Sequence, residues 1–289
     1  MKTTSTSPRL VMCAATWSMI AWPSARKEWS LGKKLTAIKQ AGFDGVCGYI
    51  SPELKKLAKP LGLELMSGFD AKSVAGAMPR LIEQRDLGVR FINIQLLNHD
   101  TAPAVAARTA VKLIAAAEKL GLAVHIETHR DTATETPEKF DAIARGYRAA
   151  TGKLLPVTWD HSHFAVSKHM LPPEYSKRLL AWPKLIQHSQ MFHLRPFNSQ
   201  HLQIPVTNGR GALTREFKDY IAFVEDLFAL WLRGPRPGNE LWVCPELGMS
   251  HGYQVSINPH AWPEAVRART EMISAWNSAL KRVSGAKQK

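Results

Sequence analysis

Apolar runs of seven or eight residues recur along the chain: RLVMCAA (9–15), FDGVCGYI (43–50), LELMSGF (63–69), RFINIQLL (90–97), LAVHIET (122–128), LLPVTWD (154–160), QMFHLRP (190–196) and LWVCPEL (241–247). Short, nearly continuous apolar stretches of this kind read as strands buried on both faces. Between them lie LGKKLTAIKQAG (31–42), VAGAMPRLIEQRDLG (74–88), APAVAARTAVKLIAAAEKLG (102–121), PEKFDAIARGYRAATG (137–152), TREFKDYIAFVEDLFALWLRG (214–234) and PEAVRARTEMISAWNSALKRV (263–283). Their apolar residues recur at three and four, which predicts amphipathic helices. Gly42, Gly88 and Gly121 each stand just before the next strand, where a helix commonly ends in a left-handed residue. Thr136-Pro137, and Thr214 followed by Glu216, mark helix starts.

Eight strands alternating with helices over this length predict an α/β protein: a single (β/α)8 barrel spanning residues 1–289, with a flexible basic tail from about 283 to 289. An open, doubly wound sheet that binds a dinucleotide would place a GxGxxG loop after the first strand, and none is present. Lys2, Arg9 and the apolar run that follows imitate a short secretory leader. The Thr and Ser within that run, and the helix-like stretch behind it, favour a first barrel strand. Two connections are long, 16–29 and 197–213; in a barrel both fall at the C-terminal mouth, where active sites sit.

Composition adds limits. With 45% hydrophobic residues the chain can bury a sizeable core, and 38 basic against 24 acidic residues give a net charge of +14. That balance favours anionic partners, yet the one basic run is the terminal KRVSGAKQK, so nucleic acid is not the expected partner. Cys13, Cys47 and Cys244 form an odd set without a CxxC pair, as expected of reduced core cysteines in a cytoplasmic protein. No run is long and apolar enough for a membrane span.

The chemistry gathers at strand ends. Four consecutive runs finish in a residue able to bind a metal: Glu127 in HIETH, Asp160 in VTWDHSHF, His193 in MFHLRPF and Glu246 in VCPELG. Buried carboxylates are costly unless paired, and one divalent cation on the barrel axis would neutralise three of them. Two Glu, one Asp and one His suit Mn²⁺, Mg²⁺, Co²⁺ or Zn²⁺ without choosing among them. His163, three residues after Asp160, falls in the mouth loop; His161 points to the other face as a packing residue; His125 is an interior histidine with its hydrogen bonds satisfied. His129 and Arg130 can line the mouth, as can Trp17 and Trp22 from the first mouth loop.

Strand-end Glu, then Asp-x-x-His, then His, then Glu resembles the xylose isomerase-like TIM barrels, which include sugar isomerases and ketose epimerases. The resemblance covers the chain in strand order, with its specific motifs in the second half. It implies one divalent metal ion on Glu127, Asp160, His193 and Glu246, and a small sugar or keto-sugar substrate. It also implies a metal-stabilised enediolate, with Glu127 and Glu246 as the acid/base pair. His163 matches a substrate-binding histidine, and Arg195 and Arg210 both compete for the role of a substrate-binding arginine; His129 and Trp17 complete the expected contacts. A homo-oligomer is compatible with the resemblance. A keto-sugar dehydratase or lyase would need the same groups. The endonuclease IV-like repair enzymes share the pattern but carry an Asp-x-His after the seventh strand, where FNSQHLQIPVTNGRG offers only His201. A non-catalytic binding subunit is the remaining alternative.

Overall fold

The computed structural model of the protein describes residues 7–250, 252–253 and 259–286. Eight strands, β1 (Arg9–Ala15), β2 (Gly45–Cys47), β3 (Glu64–Ala71), β4 (Phe91–Leu96), β5 (Ala123–Glu127), β6 (Val157–Trp159), β7 (Met191–His193) and β8 (Glu240–Cys244), pair in parallel and in chain order. β8 returns to β1 with Arg9 opposite Glu240 and Met12 opposite Val243, which closes the barrel. The helices are α1 (Leu31–Gln40), α2 (Pro52–Ala58), α3 (Val74–Asp86), α4 (Pro103–Lys119), α5 (Pro137–Thr151), α6 (Ser162–Ser167), α7 (Tyr175–Leu179), α8 (Pro183–His188), α9 (Arg215–Leu232) and α10 (Ala261–Gly285). The fold is thus a (β/α)8 barrel, as the alternation predicted.

Local chemistry explains the helix starts. Ser51, Ser73, Thr136 and Thr214 each accept a hydrogen bond from the backbone N–H three residues on, satisfying a donor the helix itself leaves open. Two apolar layers then form. Inside the barrel lie Val11, Cys13, Cys47, Met66, Phe91, Met191, Trp242 and Cys244, while the larger cluster fills the space between strands and helices. The interior is tight at Gly45, where a Cβ would stand 2.7 Å from the Glu64 carbonyl oxygen and 2.9 Å from the Cys13 sulfur. Only glycine lets β2 approach its neighbours so closely.

Four short helices, α2, α6, α7 and α8, lie where the apolar periodicity predicted none. They span five to seven residues and three of them begin at or near Pro52, Pro172-Pro173 and Pro183, too short for a three-and-four pattern to register. β2, β6 and β7 are three residues each, so Asp160 lies one residue and Arg195 two residues past the hydrogen-bonded ladder. Of the tail expected to be flexible, α10 runs on through Gly285, and 287–289 lie outside the described residues. No helix among the described residues is long and apolar enough to cross a membrane.

Candidate metal and active site

The ends of β5 and β6 are fixed to each other by a threonine. The Thr128 hydroxyl donates to the Asp160 carbonyl oxygen and accepts the Asp160 N–H, both at 2.9 Å. The loop that follows is held by more of the same: Thr134 Oγ1 donates to the Glu127 carbonyl oxygen at 2.5 Å, and Thr132 Oγ1 to that of His129 at 2.8 Å. The threonines of ETHRDTATET thus satisfy backbone groups where the strand stops, as buried polar backbone requires.

On this frame Glu127, His193 and Glu246 each bring one ligand-type atom to within 4.8 Å of the others. His193 Nδ1 is 2.7 Å from Glu127 Oε1 and 3.3 Å from Glu246 Oε2. Asn93, on β4, donates from Nδ2 to Glu127 Oε2 at 2.6 Å. All four side chains are buried.

Asp160 stands in a neighbouring set. Its Oδ1 accepts from the Ser162 N–H at 2.9 Å and from the Ser162 hydroxyl at 2.6 Å. Its Oδ2 is 3.2 Å from His163 Nε2 and 3.4 Å from Arg195 Nε. Arg195 then reaches Glu246, Nη2 to Oε1 at 2.7 Å, so a guanidinium bridges the two carboxylates. Arg195 is itself buried, and its Nη1 has no hydrogen-bond partner among the described residues.

Three buried carboxylates therefore face one guanidinium at the mouth, an excess of two negative charges when the His193 ring is neutral, as a metal ligand must be, and of one when it is protonated. Burial opposes charge on each group, but the neighbours outweigh it. His193 lowers the Glu127 carboxyl to about 2. His163 and Arg195 hold Asp160 well below the usual carboxylate range, and Arg195 and His193 lower Glu246. On the His193 ring, burial disfavours the proton while Glu127 and Glu246 together raise its pKa well above the ordinary value. The donor set, two carboxylates and an imidazole in a buried pocket with two charges to neutralise, fits a divalent cation.

Beneath the ring, Cys47 Sγ lies 3.7 Å from His193 Nε2. A hydrogen bond from Cys244 brings the Cys47 thiol down to about 7 against the effect of burial, with His193 assisting. Cys13 and Cys244 are raised, chiefly by burial.

Above the group opens a cavity of about 530 Å³, lined among others by Trp17, Cys47, Asn93, His129, Arg130 and Tyr253 together with His193, Arg195 and Glu246. The Arg130 and Arg195 guanidinium carbons lie 4.4 and 4.0 Å from the centre of the Tyr253 ring. A larger hollow of about 690 Å³ sits at the opposite, N-terminal end of the strands, lined by Leu122, His125, Lys153 and His188, away from the carboxylates.

Of the residues singled out in the sequence, Glu127, His193 and Glu246 converge, and Trp17, His129 and Arg195 line the cavity. Asp160 joins them through Arg195. His163 is buried against Asp160, with its ring 4.2 Å from that of His129, and is not among the cavity-lining side chains. Arg210 is exposed and outside the lining. Trp22 packs against Trp29 and His260 instead. His161 stacks on Trp159 at 5.2 Å, on the outward face as expected. His125 is interior, but its Nδ1 has no hydrogen-bond partner among the described residues, so it is not the fully satisfied histidine expected. Sequence reading missed Asn93, whose one signal is a polar residue between Ile92 and Ile94, as well as Cys47, Ser162 and Tyr253.

No family model matches the sequence, and no curated protein matches it. Solved structures do match the fold. A "xylose isomerase-like TIM barrel/4-hydroxyphenylpyruvate dioxygenase fusion protein" is 15% identical with a TM-score of 0.62; the match covers 96% of this chain, which spans 45% of that one. An L-ribulose 3-epimerase is 14% identical over 97% of this chain and 98% of its own, TM-score 0.57. A xylose isomerase-like TIM barrel protein from Mycobacterium smegmatis, in complex with magnesium, is 14% identical over 97% of this chain and all of its own, TM-score 0.58. The chain thus has the fold of the xylose isomerase-like TIM barrels, and its structural neighbours include sugar epimerases and isomerases.

Proposed function

We propose that the protein is a divalent-metal-dependent isomerase or epimerase of a small sugar or keto-sugar. The observation that carries this reading is the Glu127–His193–Glu246 group at the C-terminal mouth, beneath a cavity of sugar size and with buried negative charge in excess. The epimerase and magnesium-bound neighbours support it.

Glu127, His193 and Glu246 would hold the cation, and their oxygen and imidazole donors suit Mn²⁺, Mg²⁺, Co²⁺ or Zn²⁺. Bound there, it would polarise the substrate carbonyl and the adjacent hydroxyl and so acidify the C–H of the carbon that bears that hydroxyl. Glu127 and Glu246 stand on separate strands, both in reach of the His193 ring. One carboxylate takes the proton from that carbon, and the other, once protonated, returns a proton. Return to the opposite face of the same carbon gives the epimer; return to the neighbouring carbon gives the aldose–ketose isomer. Asn93 holds Glu127 in place through Oε2. Arg195 and His129 orient substrate hydroxyls, and Trp17 supplies an apolar wall on which a sugar face can stack.

The test is metal stoichiometry on the purified chain, followed by a screen of ketoses and keto-sugars in deuterated water. The expected result is about one divalent ion per chain and deuterium incorporation at a carbon next to the carbonyl, lost in Glu246→Gln while the circular dichroism spectrum is kept. Failure to bind any divalent metal, or full turnover by Glu246→Gln, would end the two-carboxylate scheme.

A further inference from the structure

We propose that the mouth holds a second sugar subsite, built on Tyr49, Asp70 and Gln95, and that the substrate is a keto-sugar carrying a further sugar ring. The inference rests on the isomerase or epimerase reading above and narrows its substrate class.

The cavity has two ends. Glu127, His193 and Glu246 stand at the ends of β5, β7 and β8, whereas Tyr49, Asp70 and Gln95 stand at the ends of β2, β3 and β4, across the barrel. All three line the cavity that His193 and Glu246 also line. Cys47 Sγ lies 3.7 Å from His193 Nε2, and Asn93 donates to Glu127, so both residues lie beside the metal group; Gly68 is paired with Asn93. Two residues on, Asp70 is paired with Gln95, and Tyr49 stands two residues past Cys47. Two strand residues advance about 6–7 Å toward solvent, comparable with the step from one sugar ring to the next. Between the two levels Gly68 brings no side chain into the passage. A single monosaccharide on the metal group would leave much of the 530 Å³ unfilled.

The far end is a built surface. The Tyr49 hydroxyl donates to Glu83, and its ring meets that of Phe69 edge-on at 6.3 Å. The Arg80 guanidinium carbon lies 5.9 Å from the Tyr49 ring centre and 5.5 Å from that of Phe69. Glu83 and Arg80 both belong to α3, so one helix fixes the ring, which is nonetheless 41% exposed. A ring held in this way offers a rigid apolar face. Beside it, the Asp70 carboxylate and the Gln95 amide line the cavity and make no hydrogen bond to another described residue; Arg80 reaches only the Asp70 carbonyl oxygen. The C–H face of a sugar ring packs on an aromatic ring while its hydroxyls donate to a carboxylate and exchange hydrogen bonds with an amide. An aryl group would use Tyr49 alone and set an apolar edge against Asp70, so a sugar ring is the better match.

The experiment is calorimetric titration of the Mn²⁺-loaded full chain with fructose and with disaccharides that end in fructose through different linkages: lactulose, maltulose, turanose and isomaltulose. At least one disaccharide is expected to bind about tenfold or more tighter than fructose, from one stacked ring and two hydrogen bonds. Tyr49→Ala should bring that ratio down toward one, Asp70→Ala should lower it, and Tyr49→Phe, which keeps the ring, should retain most of it. In native crystals soaked with the tightest disaccharide, the second ring should lie against Tyr49 with a hydroxyl on Asp70. That crystal decides the matter even where Tyr49→Ala fails to fold. Disaccharides that bind no tighter than fructose, or an advantage that survives Tyr49→Ala, would overturn the subsite and leave the isomerase reading standing. Equal binding of an O-benzyl ether of fructose would do the same, since it would make the far end a site for aryl groups. Absence of metal from all preparations, or binding of no sugar to the metal-loaded chain, would overturn both.

Discussion

Thr128 and Asp160 are latched to each other across neighbouring strand ends, one hydroxyl both donating to and accepting from the Asp160 backbone at 2.9 Å. Both residues are fully buried, so neither backbone group has water as a substitute. Thr128→Val keeps the shape and removes both hydrogen bonds, leaving a buried N–H and a buried carbonyl oxygen unpaired. The expected loss is about 2–4 kcal/mol, from roughly 1–3 for each unpaired group less some relaxation, read by chemical denaturation. Thr128→Ser, which keeps the hydroxyl, should recover most of it. Equal stability of all three would show that the strand ends are held by packing alone.

Asn93 orients Glu127 from the next strand, and its effect should appear in metal binding rather than in folding. Asn93→Leu removes the donor to Glu127 Oε2 and leaves the carboxylate free to rotate. Outer-shell partners of this kind are worth about 10- to 100-fold in affinity, so competition against a chromophoric chelator should show a loss in that range with the far-ultraviolet spectrum unchanged. An undiminished affinity would mean that β4 contributes nothing to the site.

Much of this was legible in the sequence, for reasons that particular residues make plain. Strand order and number followed from apolar runs, because a strand buried on both faces has few ways to be written. Glu127, His193 and Glu246 were visible because a charge at the end of an apolar run is costly and so informative. Their partners were not. Asp160 is the same kind of residue at the same kind of position, but its environment is made by Ser162, His163 and Arg195, and no strand pattern says that Arg195 turns inward to bridge it to Glu246. Asn93 is a single polar letter between Ile92 and Ile94, informative only once β4 is known to lie beside β5 with Asn93 opposite His125. Arg195 and Arg210 were equal on paper; the difference between a buried bridge and an exposed loop residue is tertiary. The short helices after β6 were hidden for another reason, since prolines cut them below the length at which periodicity can be read.

Buried neutral histidines should make the fold sensitive to acid. His161 is stacked on Trp159, edge-on to Phe223, and neither ring nitrogen has a hydrogen-bond partner among the described residues. Burial lowers its pKa from 6.5 to about 4, with Asp160 opposing. His125 is lowered to about 4 in the same way. In the unfolded chain both take up a proton near pH 6.5 while the folded state does not, so the unfolded state binds more protons and stability falls as pH drops from about 6.5 toward 4. Each histidine contributes on the order of 1 kcal/mol of loss by pH 5.5. Denaturation at pH 7.5 and 5.5 should show the drop, and His161→Phe, which preserves the stack, should remove roughly half of it. A flat profile would mean that both rings are protonated in place.

Cys47 differs from the other two cysteines in a way that chemical labelling can read. It lines the mouth cavity and contacts His193, whereas Cys13 and Cys244 are not among the lining residues. Its thiol is brought down to about 7, chiefly by the hydrogen bond from Cys244, while those of Cys13 and Cys244 are raised. The thiolate is the nucleophile, so a small alkylating reagent that enters the cavity should find Cys47 first. In chelator-treated protein, mass spectrometry after iodoacetamide should place the adduct on Cys47, with a rate that rises through pH 7, and leave Cys13 and Cys244 unmodified while the chain stays folded. The adduct would project beside His193, so the alkylated protein should bind divalent metal more weakly by at least tenfold, on the scale of a disturbed ligand environment. Cys47→Ser should resist the reagent yet keep its metal. Labelling of all three cysteines at one rate would instead report global opening, and would separate Cys47 from the site.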